Sequence, residues 1–345
     1  MQTIIKRIDP NNIDKDIINQ MGDIIKKGGL VSFPTETVYG LGASAFDEQA
    51  SLNIFKAKGR PADNPLIVHV ISLKEAEEVT EDMPDSARKL YSKFSPGPLT
   101  LIMKKASKIP YAVTAGLETV AVRIPSHPIA RALIEACGLP IAAPSSNLSG
   151  KPSPTIAEYV IKDMNGRIDA IIDGGACDVG VESTIVDLSG ERPTLLRPGG
   201  ITFEELKAEL PDIVIDEHIL KSVAANERPK CPGMKYKHYA PDAEVYVVEG
   251  KKEAVKKKIN ELLLENTDKK TGVLSLGKTE YDADVVLDAG MNNIEYANRL
   301  FTDLREFDKQ GIDIVFAEFC IEDEHALAVK NRLYKAAGGR VITLA

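Results

Sequence analysis

The sequence predicts an α/β protein with two parts, a larger domain built on an open, twisted, mixed β-sheet and a smaller Rossmann-like α/β domain. Short, strongly apolar segments alternate with longer segments in which apolar residues recur at helical spacing. Between residues 211 and 242 this periodicity fades into a segment rich in proline and glycine, and beyond it the alternation resumes. We therefore expect domains at 1–210 and 243–345, joined by a linker at 211–242.

Local signals place the elements of the first domain in order. A Gly28-Gly29 pair ends a helix, Ser72 and Glu75 form a capping box, and Pro128 suits the first turn of a helix. Apolar runs bounded by turn residues predict strands at 3–8, 30–33, 99–103, 120–124 and 140–143, another after Pro65, and strand ends beside glycine within 180–187 and 195–199. Helices are predicted at 13–25, from near 47 to about 60, from 72, at 84–93, at 128–137, near 155 and at 202–210.

The second domain repeats the alternation on a smaller scale. Strands are predicted at 245–248, 272–276, 285–287 and 314–319, and helices at 254–264, 295–307 and 324–336. The segment 272–279 formally matches the GxxxxGK(S/T) phosphate loop, in which a helix must follow the loop. Here the variable positions are themselves strand-like, and another strand follows. We therefore predict that it does not bind phosphate.

Composition and charge restrict the class of protein. Lysine and arginine number 43 and aspartate and glutamate 51, which gives a net charge of −8. This balance argues against a general nucleic-acid coat but leaves room for a local basic cleft. No segment is long and apolar enough to span a membrane, and the N-terminus has no apolar signal core. The sequence therefore predicts a soluble, cytoplasmic protein without a membrane role.

Polar loops follow several of the predicted strands. Ser32–Gly42 carries hydroxyls directly after a buried strand, and Lys56, Lys58 and Arg60 end the next predicted helix. Each has an ordinary interpretation, since glycine turns are common and helix-end cations also favour the helix dipole. The loop 143–154 is either a connector or a ligand-binding loop at the carboxyl edge of the sheet. Arg123, within a strand, is either an edge residue or a fork for a carboxylate or phosphate.

Seven motifs in a fixed order resemble those of the YrdC-type threonylcarbamoyl-AMP synthase family. The motifs are FPTETVYGLG, KGRPADNPLIVH, SPGPLT, VRIP, APSSNLSG, ESTIVD and LRPGG. The resemblance covers residues 4–210, and residues 231–241 are similar to the linker of the longer, two-domain members. It implies a YrdC-like fold for the first domain and a Rossmann-like second domain. Cys231 stands where many relatives have serine, a difference without consequence for catalysis.

The resemblance implies a nucleotidyltransferase that participates in tRNA processing. Such enzymes join L-threonine, bicarbonate and ATP into threonylcarbamoyl-AMP and pyrophosphate, for the t6A modification of adenosine 37 of tRNA. Mg²⁺ would accompany the ATP, with no dedicated protein metal site. Downstream partners would be the proteins that transfer the threonylcarbamoyl group to tRNA. No enzyme nucleophile is needed, in keeping with a sequence that lacks a G-x-S-x-G motif.

The family also implies a role for individual residues. Lys58 and Arg60 would be catalytic. L-Threonine would be bound by Thr35, His69, Arg123, Ala143 and Ser183. ATP would be bound by Lys56, Lys58, Arg60, Asn64, Thr119, Ser145, Ser153, Arg197 and Tyr236. Tyr236, with His238, belongs to a linker that is either a nucleotide lid or a plain tether. His69 is either a positioning residue, a proton-transfer group or an ordinary core histidine.

Two other functions compete with the synthase. One is a non-catalytic protein that binds double-stranded RNA or tRNA through a basic concave face, to which Lys104, Lys105, Lys108 and Arg131 would contribute. RNA binding of that kind would weaken steeply with salt. The other is carbamoyl transfer as in larger hydrogenase-maturation proteins of the same fold, which carry acylphosphatase and zinc-finger segments not seen here.

Overall fold

A computed structural model describes residues 2–219, 229–232 and 239–344. The chain divides into two compact units. The first comprises Met1–Ser149 with Ser153–Lys235, and the second Gly150–Pro152 with Tyr236–Ala345. The predicted linker at 211–242 includes residues outside the described part, so its boundaries and those of the two domains stay a prediction.

The first unit contains a mixed, eleven-stranded sheet. Its strands are β1 (Ile4–Arg7), β2 (Val31–Phe33), β3 (Gly40–Ser44), β4 (Ile67–His69), β5 (Leu99–Lys104), β6 (Thr119–Arg123), β7 (Ile141–Ala143), β8 (Ala170–Asp173), β9 (Thr184–Asp187), β10 (Thr194–Arg197) and β11 (Val214–Ile215). Across the sheet they run in the order β1-β8-β2-β3-β7-β4-β6-β5-β9-β10-β11. The central strands β4, β6 and β7 are buried almost throughout, which explains why their residues are apolar except at strand ends, where His69, Thr119 and Arg123 stand.

Eight helices accompany this sheet in the described residues. They are α1 (Lys15–Lys26), α2 (Glu48–Lys58), α3 (Leu73–Val79), α4 (Asp85–Phe94), α5 (Tyr111–Thr114), α6 (Pro128–Cys137), α7 (Ala157–Met164) and α8 (Phe203–Glu209). Asp14 caps α1 by accepting hydrogen bonds from the amides of Asp16 and Ile17. The apolar side of α1, with Met21 and Ile25, packs with α6 and the β2 strand in one core cluster.

The second unit contains a five-stranded parallel sheet with helices between its strands. The strands are β12 (Glu244–Glu249), β13 (Thr271–Ser275), β14 (Val285–Asp288), β15 (Ile314–Phe319) and β16 (Val341–Thr343), in the order β14-β13-β15-β12-β16. The helices are α9 (Lys252–Glu265), α10 (Asn293–Lys309) and α11 (Ala326–Ala337). Val255 and Ile259 of α9 pack on Val248, Val273 and Phe316 of the sheet.

The predicted fold class is confirmed, including the smaller Rossmann-like second sheet. The context predicted for residues 272–279 is confirmed, because β13 leads to β14 without an intervening helix, and the absence of phosphate binding stays a prediction. The sequence missed β3, whose residues Gly40–Ser44 are small and weakly strand-forming. Close packing explains this composition: a Cβ atom on Gly42 would lie 2.7 Å from the side chain of Ile141.

Three further strands and one short helix were also missed, namely β8, β11, β16 and α5. All four are short, and three of them, β11, β16 and α5, lie at the edge of a sheet or between strands, where so few residues establish no periodicity. The fourth, β8, is a continuous apolar run that pairs with both β1 and β2 inside the sheet.

None of the helices in the described ranges has both the length and the apolar character needed to cross a bilayer.

Candidate functional site

Backbone hydrogen bonds hold the two polar loops of the first unit side by side. The loop after β2 ends at Tyr39, whose amide donates to the carbonyl oxygen of Pro154 at 2.9 Å. The carbonyl oxygen of Tyr39 accepts from the amide of Ser146 at 2.8 Å, and Gly40 forms an isolated β-bridge with Ser145. Loops 34–39 and 144–154, which the sequence singled out separately, are therefore walls of one site.

Arg123 lies at the carboxyl end of β6, nearly fully buried. In the sheet register it is opposite His69 on β4 and Thr100 on β5. Its Nη1 atom donates to Thr37 Oγ1 at 2.8 Å, and Thr37 Oγ1 lies 2.9 Å from Thr35 Oγ1. The structure thus brings three of the predicted threonine-binding residues, Thr35, His69 and Arg123, into one neighbourhood.

Glu36 neutralises this buried arginine. Its Oε1 atom lies 2.9 Å from Arg123 Nη2 and accepts a hydrogen bond from the amide of Ser126 at 3.2 Å. Burial opposes ionisation of the carboxyl group, but the ion pair with Arg123 and these hydrogen bonds outweigh it and lower the pKa of Glu36. The glutamate is therefore charged at neutral pH.

His69 is a neutral imidazole in this environment. Burial, and after it the positive charge of Arg123, lower the pKa of His69 to about 3. Nδ1 lies 3.1 Å from the carbonyl oxygen of Ile67, an arrangement that fixes the proton on Nδ1 and leaves Nε2 as an acceptor. An edge-on contact with Phe33, at 6.2 Å between ring centroids, holds the ring. A neutral, fixed imidazole suits positioning of a substrate group.

Ser183 connects the residues predicted to bind L-threonine with those predicted to bind ATP. Its hydroxyl lies 2.7 Å from that of Thr100 and accepts from Arg197 Nη2 at 3.1 Å. Arg197 also donates through Nε to the carbonyl oxygen of Ser183 at 2.9 Å, which fixes the plane of the guanidinium. Ser183 is fully buried where the chain enters β9, and Arg197 ends β10. The predicted threonine and ATP sites therefore share a boundary.

The end of α2 anchors the loop that follows β7. Lys58 Nζ donates to the carbonyl oxygens of Ser145 and Asn147, the latter at 2.6 Å. Ser145 Oγ donates to Asn147 Oδ1 at 2.6 Å. Gly59 ends the helix in the left-handed conformation, with φ of 62°, so that the chain turns between Lys58 and Arg60. Lys58 and Ser145, both predicted to bind ATP, are in direct contact.

Asn64 and Ser153, two further residues predicted to bind ATP, lie beside Arg60 and Glu182 respectively. Arg60 Nη2 donates to the carbonyl oxygens of Asn64 and Pro65, both at 3.3 Å. The amide group of Asn64 is fully buried, and neither its oxygen nor its nitrogen has a hydrogen-bond partner within residues 2–219, 229–232 and 239–344. Ser153 Oγ donates to Glu182, which directly precedes Ser183.

Four predicted residues lie apart from these contacts or outside the description. Lys56 is exposed and lines a surface depression with Arg167 and Gly28. It points away from Lys58 because residues two positions apart on a helix face nearly opposite directions. Thr119 begins β6 and is therefore about 13 Å from Arg123 at its end. Ala143 is buried opposite Ile67, where β7 pairs with β4. Tyr236, like its neighbour His238, lies outside the described residues.

The sequence did not assign roles to four polar residues that the site contains: Glu36, Thr37, Thr100 and Glu182. All four stand within motifs that the sequence singled out. Glu36 was visible as an acidic residue in a hydroxyl-rich loop, but its partner Arg123 is 87 positions away. Only the fold, which brings the loop after β2 to the carboxyl end of β6, places the two together.

Fold and site together define a class: an α/β protein whose strand ends present buried, fixed cations and hydroxyls to anionic substrates. Family models identify the class more narrowly. The Sua5/YciO/YrdC model, described as "Telomere recombination", matches residues 23–199. A model described as "Threonylcarbamoyl-AMP synthase, C-terminal domain" matches residues 201–338. The chain belongs to the threonylcarbamoyl-AMP synthase family.

Two relatives and one solved structure are similar to this chain over nearly its whole length. The threonylcarbamoyl-AMP synthase of Pyrococcus abyssi is 51% identical over 92% of this chain and 93% of its own. That of Bacillus subtilis is 47% identical over 94% of both chains. The crystal structure of P. abyssi Sua5 complexed with L-threonine has a TM-score of 0.95 at 48% identity, covering 99% of this chain and 100% of the other. Escherichia coli YciO covers only 59% of this chain, with a TM-score of 0.54.

Proposed function

We propose that this protein is an L-threonylcarbamoyladenylate synthase, which converts L-threonine, bicarbonate and ATP into threonylcarbamoyl-AMP and pyrophosphate. One observation carries the proposal: buried Arg123 lies with Ser183 and Arg197 among fixed hydroxyls, and the Ser153–Glu182 hydrogen bond joins this region to the loop that Lys58 anchors. The named activity of relatives about half identical over most of the chain supports it. The reaction needs two such neighbouring sites, one for an amino acid and one for a triphosphate.

On the amino-acid side, we assign the substrate carboxylate to Arg123. A guanidinium binds a carboxylate through two parallel hydrogen bonds, and here burial strengthens the attraction. Thr35 and Ser183 offer hydroxyls, and the acceptor Nε2 of His69 suits the substrate's hydroxyl or amino hydrogen. These residues sit on strand ends and tight loops, so they are positioned before the substrate arrives.

On the phosphate side, we assign the triphosphate to the group formed by Lys58, Arg60, Asn64, Ser145, Ser153 and Arg197. Lys58 and Arg197 carry fixed positive charges, and Asn64 presents a buried amide that suits a ligand's donors and acceptors. Charge placed in advance stabilises the negative charge that develops on the leaving pyrophosphate. Lys56 and Thr119 would contact ATP only at the margin of this group, and Tyr236 stays a candidate from the sequence.

The chemistry needs no covalent intermediate with the protein. The threonine amine forms a bond to the bicarbonate carbon with loss of water, and a carbamate oxygen then attacks the α-phosphorus while the bond to pyrophosphate breaks. Burial raises the pKa of the Cys137 thiol to about 12 and that of Cys177 above the ordinary range, so neither is a thiolate. We assign catalysis to positioning and charge neutralisation by Lys58 and Arg60.

Mg²⁺ is proposed to arrive with the ATP. No group of three or more histidine, cysteine, aspartate or glutamate side chains in the described ranges could hold a metal ion. Mg²⁺ commonly keeps several waters and is bound mainly by substrate phosphates, so a triphosphate can carry it without a set of protein ligands. When bound there, it would neutralise phosphate charge.

The product is an activated acyl donor, which supports the proposal that partner proteins transfer its threonylcarbamoyl group to tRNA. The competing proposal, a non-catalytic RNA-binding protein, is weakened by the contacts of three of its four cations. Lys105 is buried over the Tyr111 ring, and Lys108 pairs with Glu78. Arg131 donates to the carbonyl oxygens of Ile71 and Pro125. Phosphate contacts would have to displace these interactions.

The test is pyrophosphate release from ATP and Mg²⁺, with threonine and bicarbonate omitted in turn. We expect release only when both are present, together with an acid-labile adenylate as product. Release that is equal without threonine, or absent under every condition, contradicts the proposal. In the second case, tRNA binding measured at two salt concentrations tests the RNA alternative.

A further inference from the structure

Glu36 uses only one of its two carboxylate oxygens. Oε1 is 2.9 Å from Arg123 Nη2 and accepts from the amide of Ser126, whereas Oε2 has no hydrogen-bond partner in the part of the chain that the structure describes. The residue is only 5% exposed. A buried, charged oxygen without a donor is costly, and such an atom in a binding site points to a donor on the ligand.

Arg123 likewise uses only part of its guanidinium for hydrogen bonds. Nη1 donates to Thr37, Nη2 is ion-paired with Glu36 Oε1 at 2.9 Å but makes no aligned hydrogen bond, and Nε has no acceptor among the residues described. Nε and Nη2 form one edge of the planar guanidinium, and two parallel N–H groups on one edge are the geometry that binds a carboxylate with both oxygens. The unused edge of the cation and the unused oxygen of the anion belong to two groups only 2.9 Å apart.

We propose that Glu36 and Arg123 together recognise the two charged groups that every α-amino acid carries on one carbon. The Nε–Nη2 edge of Arg123 binds the α-carboxylate, and Glu36 Oε2 accepts a hydrogen bond from the α-amino group. This inference rests on the proposed function and adds Glu36 as a binding residue that selects amino acids over hydroxy acids and simple acids. Because Glu36 accepts an N–H hydrogen, the nitrogen lone pair of the neutral amine stays available for bond formation to carbon.

The experiment is a thermodynamic cycle between Glu36 and the substrate's amino group. Calorimetry measures the affinity of the full-length protein and of Glu36→Gln for L-threonine and for (R)-3-hydroxybutanoate, which lacks only the amino group. We expect the wild-type protein to prefer threonine by roughly ten- to a hundred-fold, the range of a charge-assisted hydrogen bond. In Glu36→Gln this preference should fall by about tenfold, since the carboxylate charge is gone.

Two further variants separate recognition from general damage. Glu36→Asp keeps the charge but withdraws the oxygens by one methylene, and we expect it to lose the same preference. It replaces Glu36→Gln as the test if Glu36→Gln fails to fold. Thr37→Val removes the other contact of Arg123 and should weaken both ligands equally, because both carry the carboxylate. Thermal unfolding and ATP affinity are measured on each variant.

An unchanged preference in the Glu36 variants overturns the inference. The inference also fails if the Glu36 variants instead lose the preference for threonine over 2-aminobutanoate, which lacks only the hydroxyl group. Oε2 would then accept from the substrate's hydroxyl group and not from its amino group. If the wild-type protein binds threonine and releases pyrophosphate while the preference is unchanged, only this inference fails. If the wild-type protein binds no threonine, the proposed function fails with it.

Discussion

At the scale of single residues, His69 shows what burial does to an ionisable group beside a cation. The folded protein holds its pKa near 3, well below the ordinary value of 6.5. The unfolded chain therefore binds a proton on this residue that the folded protein does not, whenever the pH lies between those values. Stability attributable to His69 is complete above pH 6.5 and is lost as the pH falls toward 3.

We predict that His69→Gln reduces this pH dependence. Between pH 6.5 and 4.5 the wild-type protein should lose roughly 2 kcal/mol more free energy of unfolding than the variant, at up to about 1.4 kcal/mol per pH unit for one proton. Urea unfolding at four pH values from 4.5 to 7.5, followed by circular dichroism, gives the difference. The matched control is His218→Gln at a more exposed histidine. Parallel pH profiles for wild type and His69→Gln would show that His69 is not buried in this neutral form.

Residue-level prediction from the sequence succeeded where a motif gave a role and failed where a role depends on a distant partner. The motifs selected Thr35, Arg123 and Ser183, which the structure places close together, although their binding roles stay predictions. They gave no role to Glu36 or Thr100, because a carboxylate or hydroxyl becomes part of a site only through neighbours set by strand register. Nor did they separate Lys56 from Lys58, which a helix directs to opposite sides.

At the scale of elements, the turn at the end of α2 determines where the site's cations point. Gly59 adopts φ of 62°, and a Cβ atom at this position would meet no atom within 4 Å. Substitution there is therefore unfavourable because of backbone conformation alone. Gly138, which ends α6, has φ of 63° and equally open surroundings, but lies away from the loops of the site.

We predict that Gly59→Ala and Gly138→Ala lower stability alike and affect ATP differently. Each should cost about 1–2 kcal/mol, the price of a left-handed alanine. Only Gly59→Ala should also raise the KM for ATP, because relaxing its φ moves Lys58 relative to Arg60. Thermal unfolding and pyrophosphate release at varied ATP concentrations measure the two effects. An equal change in KM in both variants would mean that the turn serves stability only.

The elements themselves were predictable to the extent that each carried its own periodicity or cap. Helix α6 and strand β15 have the predicted bounds, and the helix predicted at 202–210 is present as α8, which a Thr202–Glu205 capping box begins. Strand β3 could not be predicted, since its small residues are required by the strands packed beside it and not by any local preference.

At the scale of the whole molecule, the proposed threonine site is contained in the first unit. Thr35, His69, Arg123, Ala143 and Ser183 all belong to it, as does Glu36. A putative threonylcarbamoyl-AMP synthase of Mycobacterium tuberculosis, 39% identical, is matched over 90% of its length by 57% of this chain. A protein with that family name can therefore be no longer than the first unit alone.

We predict that a chain ending at Lys235 still folds and binds L-threonine with an affinity within about threefold of the full-length protein, a difference of well under 1 kcal/mol. Every residue assigned to threonine remains, and the strands that position these residues pair only within the first sheet. Calorimetry with threonine measures the affinity, and the truncated chain carrying Arg123→Lys, which loses the planar fork, is the control that should bind at least about tenfold more weakly. Pyrophosphate release by the same truncated chain then reports what Tyr236 and the second unit contribute to the ATP-dependent step. An insoluble product, or a threonine affinity reduced to that of the control, would mean that the amino-acid site depends on residues beyond 235.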